Sequence, residues 1–159
     1  MTIGWRIIYT PAYKCPFKCL EALRQHFHSQ EIDAVFATES RGFWFGTILA
    51  YELTVPFVPL RKPGKLPWKT LQEEFKLEYG KDAFGVHSDA INEGAHVLIF
   101  DDVLATGGTA CAAGNLVKKL GGTITGYAFL IELEYLHGRE KLKELTSNVF
   151  SLVKVVSDQ

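Results

Sequence analysis

The sequence predicts an α/β fold in which a mainly parallel sheet is flanked by helices. Short apolar runs bounded by turn formers or charges, typical of strands buried on both faces, alternate with segments whose apolar residues recur at helical spacing. Strands that alternate with helices are joined by crossovers, and crossovers give parallel pairing. The chain of 159 residues has the length of one domain, so residues 1–159 are predicted to fold as one unit.

Four strands and two helices can be placed from these patterns. The strands are predicted at Ala34–Thr38, Pro56–Leu60, His96–Phe100 and Tyr127–Ile131. Proline is favoured in the first turn of a helix because it has no amide hydrogen to leave unpaired, so the first helix is predicted to begin at Pro16. The second helix is predicted to begin near Thr109 and to end before Gly121.

Residues 61–89 break this alternation. The segment is rich in charge, proline and glycine, and it has room for at most a short amphipathic hairpin around Thr70–Tyr79. An irregular stretch of this length in a compact domain is usually a lid or a binding loop. We therefore predict a mobile loop over about residues 62–89.

Composition and charge argue against several classes of partner. The net charge is only −1, which gives no support for a nucleic-acid or membrane surface. No apolar run approaches the roughly 18 residues of a membrane span. The segment Met1–Thr10 has neither the length nor the order of regions of a secretory signal. We expect a cytoplasmic protein that binds neither nucleic acid nor membrane.

The three cysteines raise the question of a disulfide or a zinc site. An odd number of cysteines without a secretory signal favours reduced thiols. A zinc site would have to join Cys15 and Cys19 to His26 and His28. In a helix, however, Cys15 and His26 lie about 16 Å apart along the axis, which is too far for one metal ion. We therefore interpret these four residues as core and surface residues.

The segment Val97–Thr109, VLIFDDVLATGGT, combines several features of a ligand site. Its apolar start places Asp101 and Asp102 at the carboxyl end of a strand, where open α/β sheets bind ligands. The glycines that follow can bring backbone N–H groups close to an anion, and the start of the predicted helix adds partial positive charge. The lysine of a Walker A loop is missing. The combination predicts a different phosphate cradle, whereas an aspartate pair or a glycine pair alone would more simply form a turn.

The two adjacent carboxylates need a task of their own. Asp101 and Asp102 would repel a phosphate unless they face hydroxyl groups or a cation. Mg²⁺ prefers oxygen ligands and commonly joins protein carboxylates to substrate phosphates. The sequence therefore predicts a phosphorylated sugar and Mg²⁺ as the partners of this site.

The same segment resembles the phosphoribosyl-pyrophosphate signature of the type I phosphoribosyltransferases. Three further segments resemble, in the right order, those of the family members that use adenine: Thr38–Phe43 (TESRGF), Phe57–Pro67 (FVPLRKPGKLP) and Leu77–Gly80 (LEYG). Leu136–Leu142 (LHGREKL) continues the likeness, which runs from about residue 33 nearly to the C-terminus. Within the type I family, the segment RKPGKLP distinguishes the members that use adenine far better than the phosphate loop alone does.

The resemblance implies a role for each matching residue. Those implied to bind the 5′-phosphate are Ala105, Thr106, Gly107, Gly108 and Thr109. Asp101 and Asp102 would face the ribose hydroxyls, directly or through Mg²⁺, which is the implied cofactor. Those implied to surround the pyrophosphate are Ser40, Arg41 and Gly42, with added positive charge from Lys62 and Lys65. Glu78, with Tyr79, matches the acidic residue of the mobile loop to which the family's proton transfer is attributed.

Several of these residues also have a simpler interpretation. Without the resemblance, Glu78 would be read as a surface carboxylate paired with Lys76 or Lys81. Arg41, Lys62 and Lys65 could likewise be charges on exposed loops. The aromatic residues 43–45 are interpreted as packing at a helix start or at a subunit interface.

The activity that the resemblance implies is transfer of phosphoribosyl from 5-phosphoribosyl 1-pyrophosphate to adenine, giving AMP and pyrophosphate in purine salvage, by a homodimer. The family's hood over the base would fall in about residues 1–15, where Gly4 matches but the family's phenylalanine and aspartate do not. Two alternatives remain open. The acceptor could be hypoxanthine, guanine or xanthine, or the protein could be a non-catalytic sensor of phosphoribosyl pyrophosphate or a nucleotide.

Overall fold

The computed structural model describes residues 16–76 and 81–156. Its helices are α1 (Pro16–Phe27), α2 (Gly42–Leu53), α3 (Gly108–Lys119) and α4 (Gly138–Leu142), with a 3-10 turn at Glu134–Leu136. Its strands are β1 (Ala34–Thr38), β2 (Phe57–Leu60), β3 (Thr70–Lys76), β4 (Lys81–His87), β5 (His96–Leu104), β6 (Thr123–Leu133) and β7 (Val149–Val155). The predicted hood at residues 1–15, and Glu78 and Tyr79, lie outside the described residues.

Five of the strands form one sheet in the order β2-β1-β5-β6-β7. Every neighbouring pair in this sheet is parallel; Thr38 of β1 lies beside Leu60 of β2, and Ala37 of β1 lies beside Phe100 of β5. Parallel strands all end at the same side of a sheet. The predicted fold class is confirmed, and the carboxyl ends of β2, β1 and β5 lie next to one another.

Apolar side chains cover both faces of the sheet. On one face, Leu23 of α1 and Leu49 of α2 pack with Phe100. On the other face, Leu116 of α3 packs with Phe36. Burial on both faces explains why the central strands read as continuous apolar runs. None of the helices in the described part of the chain has the length and apolar character needed to cross a membrane.

Some strands extend beyond the apolar runs that predict them. β1 and α1 have the expected positions, but β5 continues to Leu104 and β6 already begins at Thr123. The polar pair after Phe100 interrupts the apolar pattern, whereas the backbone stays paired because Asp101 lies beside Phe129 of β6. β7 lies at the sheet edge and is only partly buried. It therefore lacks the continuous apolar run by which the other strands are predicted, and no strand is predicted there from the sequence.

The segment predicted as irregular contains a hairpin in which β3 and β4 pair antiparallel over their whole length. It is longer than the hairpin expected around Thr70–Tyr79, because the second strand also contributes to the core. Phe75 is 8%, Phe84 2% and Val86 0% exposed, and the two phenylalanine rings lie 4.9 Å apart. The base of the predicted loop is therefore packed against α3. Its tip, residues 77–80, lies outside the described residues.

Polar contacts also tie this hairpin to α3. Glu73 forms an ion pair with Lys119 at 2.6 Å and accepts a hydrogen bond from the side-chain amide of Asn115 at 2.8 Å. Lys119 donates a further hydrogen bond to the backbone carbonyl of Gln72 at 2.9 Å. Burial alone would raise the pKa of Glu73, but the hydrogen bonds from Lys119 and Asn115 hold it below its ordinary value. The hairpin is thus fixed to the helix that follows the predicted phosphate loop.

The aromatic residues at the start of α2 divide between core and surface. The ring of Phe43 packs edge-on against Phe57 at 5.8 Å, and that of Phe45 stacks on Phe100 at 6.4 Å. Trp44 instead is 66% exposed. Packing at a helix start is therefore the correct interpretation for Phe43 and Phe45, while Trp44 lies on the outer surface.

Candidate active site

Three loops that carry predicted site residues meet at one end of the sheet. Lys62 and Lys65 follow β2, the segment 40–42 follows β1, and the segment 105–109 follows β5. Because β2, β1 and β5 are neighbouring parallel strands, these loops lie side by side. The fold thus brings together residues that are far apart in the sequence.

The predicted acidic pair lies within β5 rather than after it. Asp101 and Asp102 are 9% and 6% exposed, and Oδ1 of Asp101 accepts a hydrogen bond from the backbone N–H of Asp102 at 2.8 Å. Burial, together with the neighbouring charge of Asp102, raises the pKa of Asp101 to about 8, and a hydrogen bond from Thr38 opposes only part of that rise. Two adjacent buried carboxyl groups favour a partner that brings positive charge or hydroxyl donors.

Arg41 connects the loop after β1 to the acidic pair. Its Nε lies 3.0 Å from Oδ2 of Asp102, although this buried oxygen accepts no hydrogen bond from any described residue. The backbone of Gly42 comes so close that a Cβ there would stand 3.0 Å from the hydroxyl of Thr38 and 3.5 Å from Oδ1 of Asp101. Glycine at this position lets the loop pack onto the acidic pair.

The predicted phosphate loop turns sharply from β5 into α3. Gly107 has φ of +81°, a conformation that glycine adopts without steric cost. α3 begins at the next residue, Gly108. The first N–H groups of a helix have no partner within the helix, and together with the helix dipole they favour an anion. A loop of this shape, followed directly by a helix start, favours an anion such as phosphate.

This loop rests on a residue to which the sequence motifs assign no role, Gly138 at the start of α4. A Cβ on Gly107 would stand 2.6 Å from the carbonyl oxygen of Gly138, and a Cβ on Gly138 would overlap the carbonyl oxygen of Ala105. Both positions accept only glycine without a shift of the backbone. The segment LHGREKL signals that the position matters, but spacing along the chain does not reveal the contact.

Arg139, next to Gly138, is held by a buried carboxylate. Glu132 on β6 is 2% exposed and accepts hydrogen bonds from Nε of Arg139 at 2.7 Å and from its Nη2. Arg139 also donates to the backbone carbonyl of Val149 at 2.5 Å and to the hydroxyl of Ser151 at 3.3 Å, both on β7. These bonds keep α4, and with it Gly138, against the phosphate loop.

The two lysines after β2 are both paired with carboxylates. Lys62 forms an ion pair with Asp82 of β4 and lies over two phenylalanine rings of the hairpin, 5.8 and 5.6 Å from their centroids. Lys65 forms an ion pair with Glu39, which immediately precedes the loop after β1. Lys65 therefore faces that loop, whereas Lys62 faces the hairpin. The peptide bond that follows Glu39 is cis.

The site offers oxygen ligands for a metal ion without enclosing one. In the described ranges, no three His, Cys, Asp or Glu side chains are grouped so that they could hold a metal between them. Mg²⁺ usually binds one or two carboxylates and completes its shell with water and substrate oxygens. Asp101 and Asp102 fit this pattern. Together, the acidic pair, the glycine loop and Arg41 can bind a substrate that carries both hydroxyl groups and phosphates.

Comparisons with known proteins point to one family. Residues 14–159 match the family model of the phosphoribosyl transferase domain. The adenine phosphoribosyltransferase of Koribacter versatilis is 50% identical over 136 residues, which are 86% of this chain and 74% of that protein. The one of Cytophaga hutchinsonii is 44% identical over 147 residues, which are 91% of this chain and 81% of that protein.

Two solved structures share the fold. The adenine phosphoribosyltransferase of Thermoanaerobacter pseudethanolicus aligns with a TM-score of 0.86 and 46% identity, over 93% of this chain and 84% of that one. The APRTase of Giardia lamblia, complexed with 9-deazaadenine, aligns with a TM-score of 0.87 and 36% identity, over 96% and 84% of the two chains. With half of the aligned residues identical in some relatives and the same fold in solved ones, this chain belongs to the adenine phosphoribosyltransferase family.

Proposed function

We propose that this protein transfers the phosphoribosyl group of 5-phosphoribosyl 1-pyrophosphate (PRPP) to adenine, giving AMP and pyrophosphate in purine salvage. One observation carries the proposal: the buried pair Asp101 and Asp102 leads within one chain segment into the glycine loop 105–109, beside Arg41. A ribose phosphate needs such a combination: carboxylates that accept hydrogen bonds from its hydroxyl groups, and N–H groups that donate hydrogen bonds to its phosphate. The Trypanosoma brucei relative was solved with AMP, pyrophosphate and ribose-5-phosphate, and that of Saccharomyces cerevisiae with adenine.

The reaction breaks the bond between C1 of the ribose and pyrophosphate and forms a bond between C1 and N9 of adenine. Positive charge develops on the sugar and negative charge on the departing pyrophosphate. Arg41 and Lys65, in the loops after β1 and β2, would stabilise the departing charge, because cationic donors form strong hydrogen bonds to phosphate. The glycine loop 105–109 would hold the 5′-phosphate and so fix the position of C1.

The proton on N9 has to leave as the new bond forms. We assign this step to Glu78 at the tip of the hairpin, next to Tyr79. The base of that hairpin is fixed by Glu73 and Lys119 to α3, the helix that begins at the phosphate loop. Closure of the tip would exclude water, which otherwise hydrolyses the activated sugar.

We propose Mg²⁺ as the cofactor because the donor set fits it. Asp101 and Asp102 supply carboxylate oxygens, and Oδ2 of Asp102 is buried without a hydrogen bond from the described chain. These two residues would hold the ion directly or through the ribose hydroxyls. When bound, Mg²⁺ supplies positive charge that neutralises the pyrophosphate as it departs.

A turnover assay tests the base and the metal together. PRPP is offered with adenine, hypoxanthine, guanine or xanthine, in Mg²⁺ or in chelator, and the nucleotide and pyrophosphate formed are measured. We expect turnover with adenine alone, and only in Mg²⁺. In Asp101→Asn a carboxyl ligand is replaced by a more weakly binding amide, so half-maximal turnover should require a higher Mg²⁺ concentration than in the wild type.

The matched control is Asp89→Asn, which removes an exposed carboxylate outside the site and should keep the wild-type Mg²⁺ dependence. Turnover with another base instead of adenine would identify that base as the acceptor, and the proposed mechanism would stay the same. Turnover in chelator would contradict the role of Mg²⁺. Binding of PRPP without turnover of any base would contradict an enzyme and favour a sensor.

We also propose that the protein is a homodimer and acts in the cytoplasm. Trp44, Ile48 and Tyr51 of α2 are 66%, 45% and 80% exposed, and their spacing places them on one face of the helix. An apolar surface of this kind is typical of a subunit interface. The free thiol of Cys111 supports a reducing compartment.

Trp44→Glu is expected to convert the dimer into a monomer. In a twofold interface each substitution occurs twice, so two added carboxylates would face the partner's apolar stripe. Sedimentation equilibrium measures the mass. Val156→Glu, at a 73% exposed position beyond β7 on the opposite edge of the sheet, is the control and should remain dimeric. A monomeric wild type, or a Trp44→Glu dimer of wild-type stability, would contradict this interface.

A further inference from the structure

Glu39 contacts three basic residues of the loop after β2: Arg61, Lys62 and Lys65. Its side chain is 9% exposed and accepts hydrogen bonds from the backbone N–H of Lys62 at 2.8 Å and from Nε of Arg61 at 3.4 Å, in addition to the ion pair with Nζ of Lys65. Its backbone N–H donates to the carbonyl of Leu60 at 2.9 Å. Backbone and side chain of Glu39 thus hold the same neighbouring segment.

The contacts of Glu39 favour the ionised form of its carboxylate. Burial alone would raise the pKa of Glu39, but the hydrogen bonds from Lys65, from the backbone of Lys62 and from Arg61 outweigh burial and hold the pKa below its ordinary value. The charge of Lys62 is already matched by Asp82. Arg61 and Lys65 therefore share one carboxylate, and positive charge remains in surplus next to the loop after β1.

Glu39 is also the point at which three parts of the site join. It immediately precedes residues 40–42, which the family resemblance assigns to pyrophosphate, and its partners lie at residues 60–65. One of these partners, Arg61, exchanges two backbone hydrogen bonds with Gly85 of β4, at 3.0 and 2.7 Å. The loop after β1 and the loop after β2 thus meet at this carboxylate, and the backbone of Arg61 links the hairpin to them.

We propose that Glu39 is a positioning residue for the pyrophosphate of PRPP, which holds Arg61 and Lys65 at the loop after β1 so that their charges face the leaving group. The inference rests on the proposed transferase function. Lys65 is 47% exposed and has a long, flexible side chain. Without Glu39 it would sample many rotamers, and fixing it each time PRPP binds would cost conformational entropy.

A role in stability alone predicts a different result from a role in positioning. If Glu39 only stabilised the fold, its loss would lower the fraction of active protein and leave the KM for PRPP unchanged. If it positions the cations, its loss weakens PRPP binding while the adenine site keeps its affinity. The two roles are therefore separated by comparing KM with kcat.

The experiment compares wild-type protein with Glu39→Gln and Glu39→Asp. Each substrate is varied at saturating concentration of the other, and PRPP binding is also measured by calorimetric titration. We expect Glu39→Gln to raise the KM and Kd for PRPP about 10-fold, with kcat within about 3-fold and the KM for adenine unchanged. Glu39→Asp keeps the charge on a shorter side chain and should restore part of the affinity.

A double-mutant cycle tests whether Glu39 acts through Lys65. If it does, Glu39→Gln raises the Kd for PRPP less in a Lys65→Met background than in the wild type. Glu52→Gln is the matched control, because it removes an exposed carboxylate that lies 3.9 Å from Arg24, outside the site. This control should bind PRPP like the wild type.

Each outcome decides either the inference or the function beneath it. A Glu39→Gln variant with wild-type affinity for PRPP, or effects in the cycle that simply add, would overturn the positioning role. Should Glu39→Gln fail to fold, a raised Kd in Glu39→Asp supports that role and a wild-type Kd overturns it. Wild-type protein that binds PRPP but turns over no base would instead contradict the transferase function. The comparison of Kd values for PRPP would still test whether Glu39 positions the cations.

Discussion

Glu78→Gln is expected to lower kcat by roughly 10²–10⁴-fold, the usual contribution of a positioned acid or base. Glutamine keeps the shape of the side chain but cannot accept the N9 proton as adenine attacks C1. The residues assigned to PRPP lie on the loops at the strand ends, so the KM for PRPP should stay near that of the wild type. Single-turnover kinetics with AMP formation as the signal measures the chemical step directly.

Glu74→Gln is the matched control for this substitution. Glu74 is an exposed carboxylate on β3 of the same hairpin, so its replacement changes the charge of the hairpin by the same amount. We expect it to keep the wild-type rate. If Glu78→Gln also kept the wild-type rate, another residue would have to accept the proton, and Glu78 would have no role in the chemical step.

Arg139→Met is expected to lower the free energy of unfolding by about 3–5 kcal/mol, because it leaves a buried carboxylate without its partner. Glu132 is 2% exposed and receives two of the hydrogen bonds that Arg139 donates. Domains of this size are usually stable by only about 5–15 kcal/mol, so the loss is a large part of the total. Urea denaturation followed by circular dichroism measures it.

The loss should depend on pH. Burial alone would raise the pKa of Glu132, but hydrogen bonds from Arg139 and Ser151 hold it below the ordinary 4.5. A carboxylate with a lowered folded-state pKa stabilises the fold above its unfolded pKa, and the contribution is lost as the pH falls through the folded pKa. In Arg139→Met the unpaired Glu132 instead takes up a proton readily. The difference between variant and wild type should therefore shrink as the pH falls toward and below 4.5.

An exposed ion pair provides the control. Lys154 lies 2.8 Å from Glu134, and both side chains are well exposed. Lys154→Met should lower the free energy of unfolding by no more than about 1 kcal/mol, as is usual for surface pairs. An Arg139→Met variant that loses as little as this control, or whose loss stays constant with pH, would show that Arg139 is not what compensates the charge of Glu132.

Features carried by contiguous residues are the ones that the sequence predicts well. β1 is a run of five residues that are all buried, and α1 combines a proline start with regular apolar spacing. The segment 97–109 joins an apolar run, two carboxylates and a glycine turn, and the strand and the helix start that this local order predicts are both found. In these cases the pattern and the physical cause lie within a single turn or strand.

Contacts between distant residues are what the sequence does not predict. Glu39 and Lys65 are 26 positions apart, and Glu39 reads as one acidic residue among many until β1 and β2 are placed side by side. Gly138 has the same difficulty, since its partner Gly107 belongs to another loop. β7 is hidden for a further reason: an edge strand is half covered, so its sequence need not be apolar throughout.

The contact between Gly138 and the phosphate loop has a consequence for protein engineering. The loop is shaped by backbone lying on backbone, at Ala105 and Gly107, with no side chain between them that a designer could vary. Transplanting residues 97–109 onto another parallel sheet would therefore transfer the sequence of the motif but not the conformation of the loop. A working graft has to include residues 132–139 as well, because the hydrogen bond from Arg139 to Glu132 holds Gly138 against the phosphate loop.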